Sequence, residues 1–150
     1  MEEKNFLELL SEHMKMQSLI ELNQKTEQFG LALTEADTKM LLEMRKHELR
    51  EQQRVEFGEG ILPKLIYAFC DSDYISQYTY VDTIMRLQEI FYLYKNETGD
   101  EISDDELLQF MREQYEETCF GDLDYLESTC LQNFAKAIRA GETLTELCWR

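Results

Sequence analysis

The chain is 150 residues long, 43% hydrophobic and 11% aromatic, with a formal net charge of −16. This length suits a single domain that buries about 68–70% of the surface its unfolded chain exposes, and the aromatic content excludes an acidic disordered segment. The acidic excess repels phosphate backbones and anionic headgroups, so no nucleic-acid or membrane partner is expected.

One proline and six glycines leave few breaks, and the apolar spacing is helical nearly throughout. The opening "MEEKNFLELLSEH" carries acids where a signal peptide needs a basic segment. With no run of the ~18 apolar residues that span a membrane, a cytoplasmic protein is expected. Residues 1–30 read as one or two helices forming a peripheral N-terminal segment. Phe6, Leu7, Leu10 and Met14 make one stripe, continued by Met16, Leu19 and Ile20. Gly30 is the expected stop, since glycine enters the left-handed conformation at least cost.

A second helix opens at Thr34, with Asp37 placed to return the capping bond. Its apolar stripe (Met40, Leu41, Met44) fades into a charged and amide-rich run from Arg45 to Arg54. Pro63 suits a first helical turn, followed by Leu65, Ile66 and Phe69. From about residue 78 to 95, Val81, Ile84, Met85, Leu87, Gln88, Phe91, Tyr92 and Tyr94 cover more than half of a helix, which marks the central element. Ser103 and Glu106 form a capping box before another helix, Gly121 interrupts, and Leu126, Leu131, Phe134 and Ile138 line the last long helix. Trp149 is expected to dock with the tail. The fold class is therefore all-α, a single compact domain (1–150) of five to seven helices around the 78–95 helix.

"KNETGDEISDDEL", residues 95–107, has six carboxylates between two helices and invites comparison with a calcium loop. An EF-hand takes ligands from positions 1, 3, 5, 7, 9 and 12 with glycine at 6. Placing Glu106 at 12 puts Lys95 at 1 and Gly99 at 5, so the pattern fails. Acids at a helix N-terminus are favoured by the macrodipole alone. Asp100, Glu101, Asp104 and Asp105 remain weak cation candidates, and no specific metal site is expected. From Asn96 to Glu127 there are twelve acids against Arg112 alone, a net charge of −11 over 32 residues. Such a run is ordinarily a solvated face; its functional alternative is a docking surface for a basic partner.

"HELRE" starts like the zinc motif HExxH, yet Glu51 stands where the second histidine belongs. No ExxH pair, P-loop, GxGxxG or Gly-x-Ser-x-Gly occurs, and Gly58-Glu59-Gly60 is too poor in glycine to cradle phosphate. Cys70, Cys119, Cys130 and Cys148 form no CxxC pair and read as buried or partly buried thiols in a reducing compartment. Neither a cofactor nor a catalytic residue is assigned. Six tyrosines fall between Tyr67 and Tyr94, where they serve either a core rim or an interface.

At "RVEFGEGILPKLIYAFCDSDYISQ", "IFYLYKNE" and "SDDELLQFM" the sequence resembles an uncharacterised family of clostridia and related Firmicutes, a domain of unknown function. The resemblance spans about residues 31–140 and implies a small intracellular bacterial protein. It implies no catalytic residue, cofactor or substrate. The expected function is a non-enzymatic adaptor or regulator that binds a protein partner, with Arg45, Lys46, Arg50, Arg54, Tyr74, Tyr78 and Tyr80 as candidate contacts. A small-molecule or cation-binding sensor is the alternative.

Overall fold

In a computed structural model, residues 6–58 and 60–141 are described, and they contain helices and turns without a strand. The anticipated tail, with Trp149 and Cys148, lies outside these residues. Helix α1 (Phe6–Glu21) is followed by the short α2 (Asn23–Thr26) and a 3-10 turn (Glu27–Phe29). Gly30 ends this segment at φ 78°, the left-handed stop its position predicts. The Asn23 side chain then holds the return of the chain: its Oδ1 accepts from the Leu33 N–H and its Nδ2 donates to the Leu33 carbonyl, both at 2.8 Å. This closure folds α1 and α3 (Glu35–Glu51) into an antiparallel hairpin. The expected box starts α3, with Thr34 Oγ1 accepting from the Asp37 N–H at 3.1 Å and Asp37 Oδ2 from the Thr34 N–H at 2.9 Å.

Pro63 lies in the first turn of α4 (Leu62–Phe69). Helix α5 (Tyr80–Glu97) is the predicted central element, starting two residues later than its apolar pattern. It packs against α3, α4, α6 (Asp104–Glu117) and α8 (Leu131–Arg139). Ile84, Leu87, Ile90, Phe91 and Tyr92 are all buried, and the amide of Gln88 is buried with them. The box on α6 is present in both directions between Ser103 and Glu106. After Gly121 the chain makes one turn of α7 (Leu123–Tyr125) and a π-turn (Leu126–Cys130) before α8. The described residues form one all-helical compact domain with one continuous core, and six of its helices have eight or more residues. Among the longer helices α1 packs chiefly on α3, which places it at the edge.

Candidate functional site

The loop between α3 and α4 is held by an internal clamp. Arg45 on α3 is only 4% exposed, and its Nε donates to Glu56 Oε1 at 2.8 Å while its Nη2 donates to the Glu56 carbonyl at 3.2 Å. The Tyr92 hydroxyl, from α5, donates to the same carboxylate oxygen. Burial and the Glu56 carboxylate hold the Tyr92 phenol well above its ordinary range, so it remains a donor. Gly60 lets the returning chain approach: at φ 63°, a Cβ there would fall 1.8 Å from Glu56 Oε1. Only glycine satisfies both the dihedral and the space.

With Glu56 turned inward, its two neighbours in this loop turn outward. Val55 is 82% exposed and Phe57 88%. These two apolar side chains are therefore displayed from a backbone that an ion pair fixes from beneath. Neither residue is among the contacts expected from the sequence. Their signal is the alternation Val-Glu-Phe followed by Gly58 and Gly60, an extended run with one acid between two apolar residues.

A second uncovered apolar surface lies at the same end of the molecule. The Lys46 Nζ to Glu12 Oε1 contact of 2.6 Å sets the register of the α1–α3 hairpin. Because the helices are antiparallel, the start of α1 lies towards the end of α3, where the Val55–Phe57 loop begins. Phe6 is 76% and Leu7 73% exposed, and Leu9, Leu10 and Met14 are exposed too. The predicted stripe of α1 exists, but its first half faces water; Leu19 is the only residue of this helix that is buried. Contiguous exposed apolar surface of this kind marks interaction sites far more often than scattered single residues do.

The proposed contact residues divide in two. Arg45 and Tyr80 are buried, which corrects their assignment to a surface: Arg45 lies beneath the folded-over loop and Tyr80 starts the central helix inside the core. Arg54 forks onto Asp100, with Nη2 to Oδ1 at 2.7 Å and Nη1 to Oδ2 at 3.1 Å, and also donates to Asn96 Oδ1. Lys46 faces Glu12 across the hairpin. Arg50, Tyr74 and Tyr78 are exposed, Tyr78 almost wholly. Of the other clustered tyrosines, Tyr92 and Tyr94 are buried and Tyr67 is half exposed.

The acidic loop is organised by the protein's own cations. Lys95 is buried, and its Nζ donates to the Ile102 carbonyl at 2.7 Å, with Asp104 at 3.0 Å and Asp100 at 3.7 Å. The lysine that spoils the calcium pattern thus provides the loop's central positive charge. The Arg54 fork holds the Asp100 carboxyl below its usual range, with Lys95 assisting. Asp105 faces Lys64 at 3.1 Å, and Glu101 is exposed. Farther along, Glu97 pairs with Arg139, Glu116 with Arg112, and Asp124 and Glu127 with Arg86. Much of the net charge of residues 96–127 is therefore met by cations within the fold. Among the described residues, no group of three His, Cys, Asp or Glu side chains is placed to hold a metal ion. His13 and His47 are both exposed.

A family model described as a family of unknown function, DUF6323, matches residues 18–144. The chain belongs to this family. The match is wider at both ends than the 31–140 resemblance and contains the clamp, the displayed loop and the central helix. The exposed start of α1 precedes it. No curated protein and no solved structure matches the chain. Among the described residues no helix is long and apolar enough to cross a membrane.

Proposed function

We propose that this is a non-enzymatic adaptor or regulator of the bacterial cytoplasm, which binds a protein partner through the apolar end formed by α1 and the Val55–Phe57 loop. The observation that carries this reading is the clamp. Glu56 is fixed from inside while Phe57 is presented in water, an arrangement that keeps the loop in one shape before any partner arrives. Preorganisation of this kind lowers the ordering cost of association. Covering Phe57, Leu7 and Leu10 contributes about 1.5–3 kcal/mol per side chain from apolar burial. Arg50 and the Lys46–Glu12 pair supply charged groups near this surface, and the acidic bulk of the chain favours a partner of basic character.

The test is affinity capture of the full chain from its host beside a Leu7→Ser, Leu10→Ser, Phe57→Ser variant. Retention of a stoichiometric protein by the wild type, and its loss from an equally folded variant, is the expected result. Identical proteins on both baits would remove this surface from the account.

One observation favours a small-molecule sensor instead. A hollow of about 560 Å3 lies between α4 and α6, lined mainly by Leu22, Pro63, Tyr67, Ala68 and Leu108. Its size lies within the roughly 300–1,000 Å3 of ligand sites. It is wide and shallow, however, and only one tyrosine reaches it. A metabolite that raises the melting temperature of wild type but not of Ala68→Trp would move this reading ahead.

A further inference from the structure

The segment between α6 and α8 brings two thiols together. Cys119 follows the last turn of α6, where its N–H donates to the Gln114 carbonyl at 2.8 Å. Phe120 and Gly121 then adopt left-handed conformations, φ 49° and 83°, and reverse the chain. Gly121 has no alternative here, because a Cβ would stand 2.7 Å from Tyr74. Asp122 caps α7 by accepting from the Tyr125 N–H at 3.1 Å, and the π-turn that follows ends on Cys130. The result is a Cys119 Sγ to Cys130 Sγ distance of 3.5 Å. Cys119 is buried, whereas Cys130 keeps partial access to solvent.

Two packed thiols can act simply as small apolar groups. This pair has more in its favour, since the reversal is fixed on both sides and π-turns concentrate at functional positions. A disulfide needs the sulfurs about 2.05 Å apart, so closure asks for an approach of about 1.5 Å, within reach of side-chain rotation and a small shift of the ten residues that connect them.

We propose that Cys119 and Cys130 are an oxidation site, closed to an intramolecular disulfide by a low-molecular-weight disulfide and reopened by a thiol. The half-accessible Cys130 takes the first step. Its thiolate attacks one sulfur of the oxidant RSSR, the S–S bond breaks, and one RSH leaves with the Cys130 proton. Cys119 then attacks the Cys130 sulfur of the mixed disulfide, and a second RSH leaves with the Cys119 proton. Two protein thiols are oxidised and one RSSR is reduced to two RSH. Burial, with the neighbouring Cys130 thiol, pushes the Cys119 thiol up to about 12, which leaves it protonated and keeps it from the first step; its 3.5 Å separation from the Cys130 sulfur is what places it for the second.

The experiment incubates the folded full chain with graded ratios of oxidised to reduced glutathione, quenches in acid, alkylates the free thiols and maps the peptides. The wild type is expected to lose Cys119 and Cys130 together into one cross-linked peptide, and dithiothreitol restores both. Cys119→Ser, and Cys119→Ala as a second form of the buried site, are expected to stop at glutathione on Cys130. In Cys130→Ser, Cys119 stays free. The oxidised wild type should melt several degrees higher, about 6–12 °C for a loop this short. Glutathione persisting on Cys130 of the wild type, cross-links to Cys70 or Cys148, or two unmodified thiols at the most oxidising ratio would each overturn the proposal. The wild-type result decides it even if a variant folds poorly.

Discussion

Helices α1 and α5 are of similar length, 16 and 18 residues, and both carry apolar side chains around much of their circumference. One is enclosed by four other helices, and the other leans chiefly on α3. Apolar content by itself therefore does not tell which helix forms the core. The neighbours decide: α1 has α3 along one side, and the apolar side chains at its start point away from that contact. The core needs the apolar groups of α5, whereas those at the start of α1 contribute almost nothing to folding and are available to something else.

Substitutions that break this contrast should act most strongly on α5. Leu87→Ala removes a fully buried side chain and should cost about 2–5 kcal/mol in denaturant unfolding. Leu7→Ala, the same chemical change on α1, should stay within about 0.5 kcal/mol. A cost at Leu7 approaching that at Leu87 would show the stripe to be internal.

Arg45→Ala should come next, at about 3 kcal/mol, because it leaves the partly buried Glu56 carboxylate without its cation. The same variant should release the loop, so that proteolysis near Val55–Phe57 accelerates while α5 retains its helicity. Gly60→Ala should do the same by forcing Glu56 aside, at roughly 1–3 kcal/mol. Resistance of both variants to proteolysis would mean that the clamp does not hold the loop.

Smaller effects sharpen the account at the far end of α5. Ser103→Ala removes one arm of the α6 capping box and should cost about 1 kcal/mol, read as a lower melting temperature. Asp100 gives a pH signature. Its carboxyl is held below the usual range by Arg54, so its contribution is present above the unfolded pKa near 4 and is lost as pH falls through the lower folded value. Asp100→Asn should thus destabilise modestly at neutral pH, and its melting curve should converge with the wild type in acid. A difference that persists unchanged at low pH would sever Asp100 from this role.

Local signals were legible in the sequence. Both capping boxes, the Gly30 stop, the first-turn Pro63 and the central helix follow from spacing over a few residues, and each stands where expected within about two positions. What was not legible depends on residues that meet only through the fold. Arg45 sits in a run of charges that reads as solvated, and only the return of Glu56 over it, with Tyr92 from α5, makes it a buried anchor. Tyr80 likewise looked like part of an exposed cluster until the chain before it turned it inward. The π-turn and the short α2 follow from how the reversals at Gly30 and Gly121 join the core rather than from any periodicity. Val55 and Phe57 were within reach, since an acid between two apolar residues before paired glycines describes a displayed loop once Glu56 is given an internal partner.

The most direct test is native-state amide hydrogen exchange on the free protein. Amides of Ile84–Phe91 should exchange only through global unfolding, while those of Phe6–Met14 should exchange by local opening, orders of magnitude faster. Equal protection of the two helices would mean that the start of α1 is already covered in the free protein, and it would contradict the assignment of that surface to a partner.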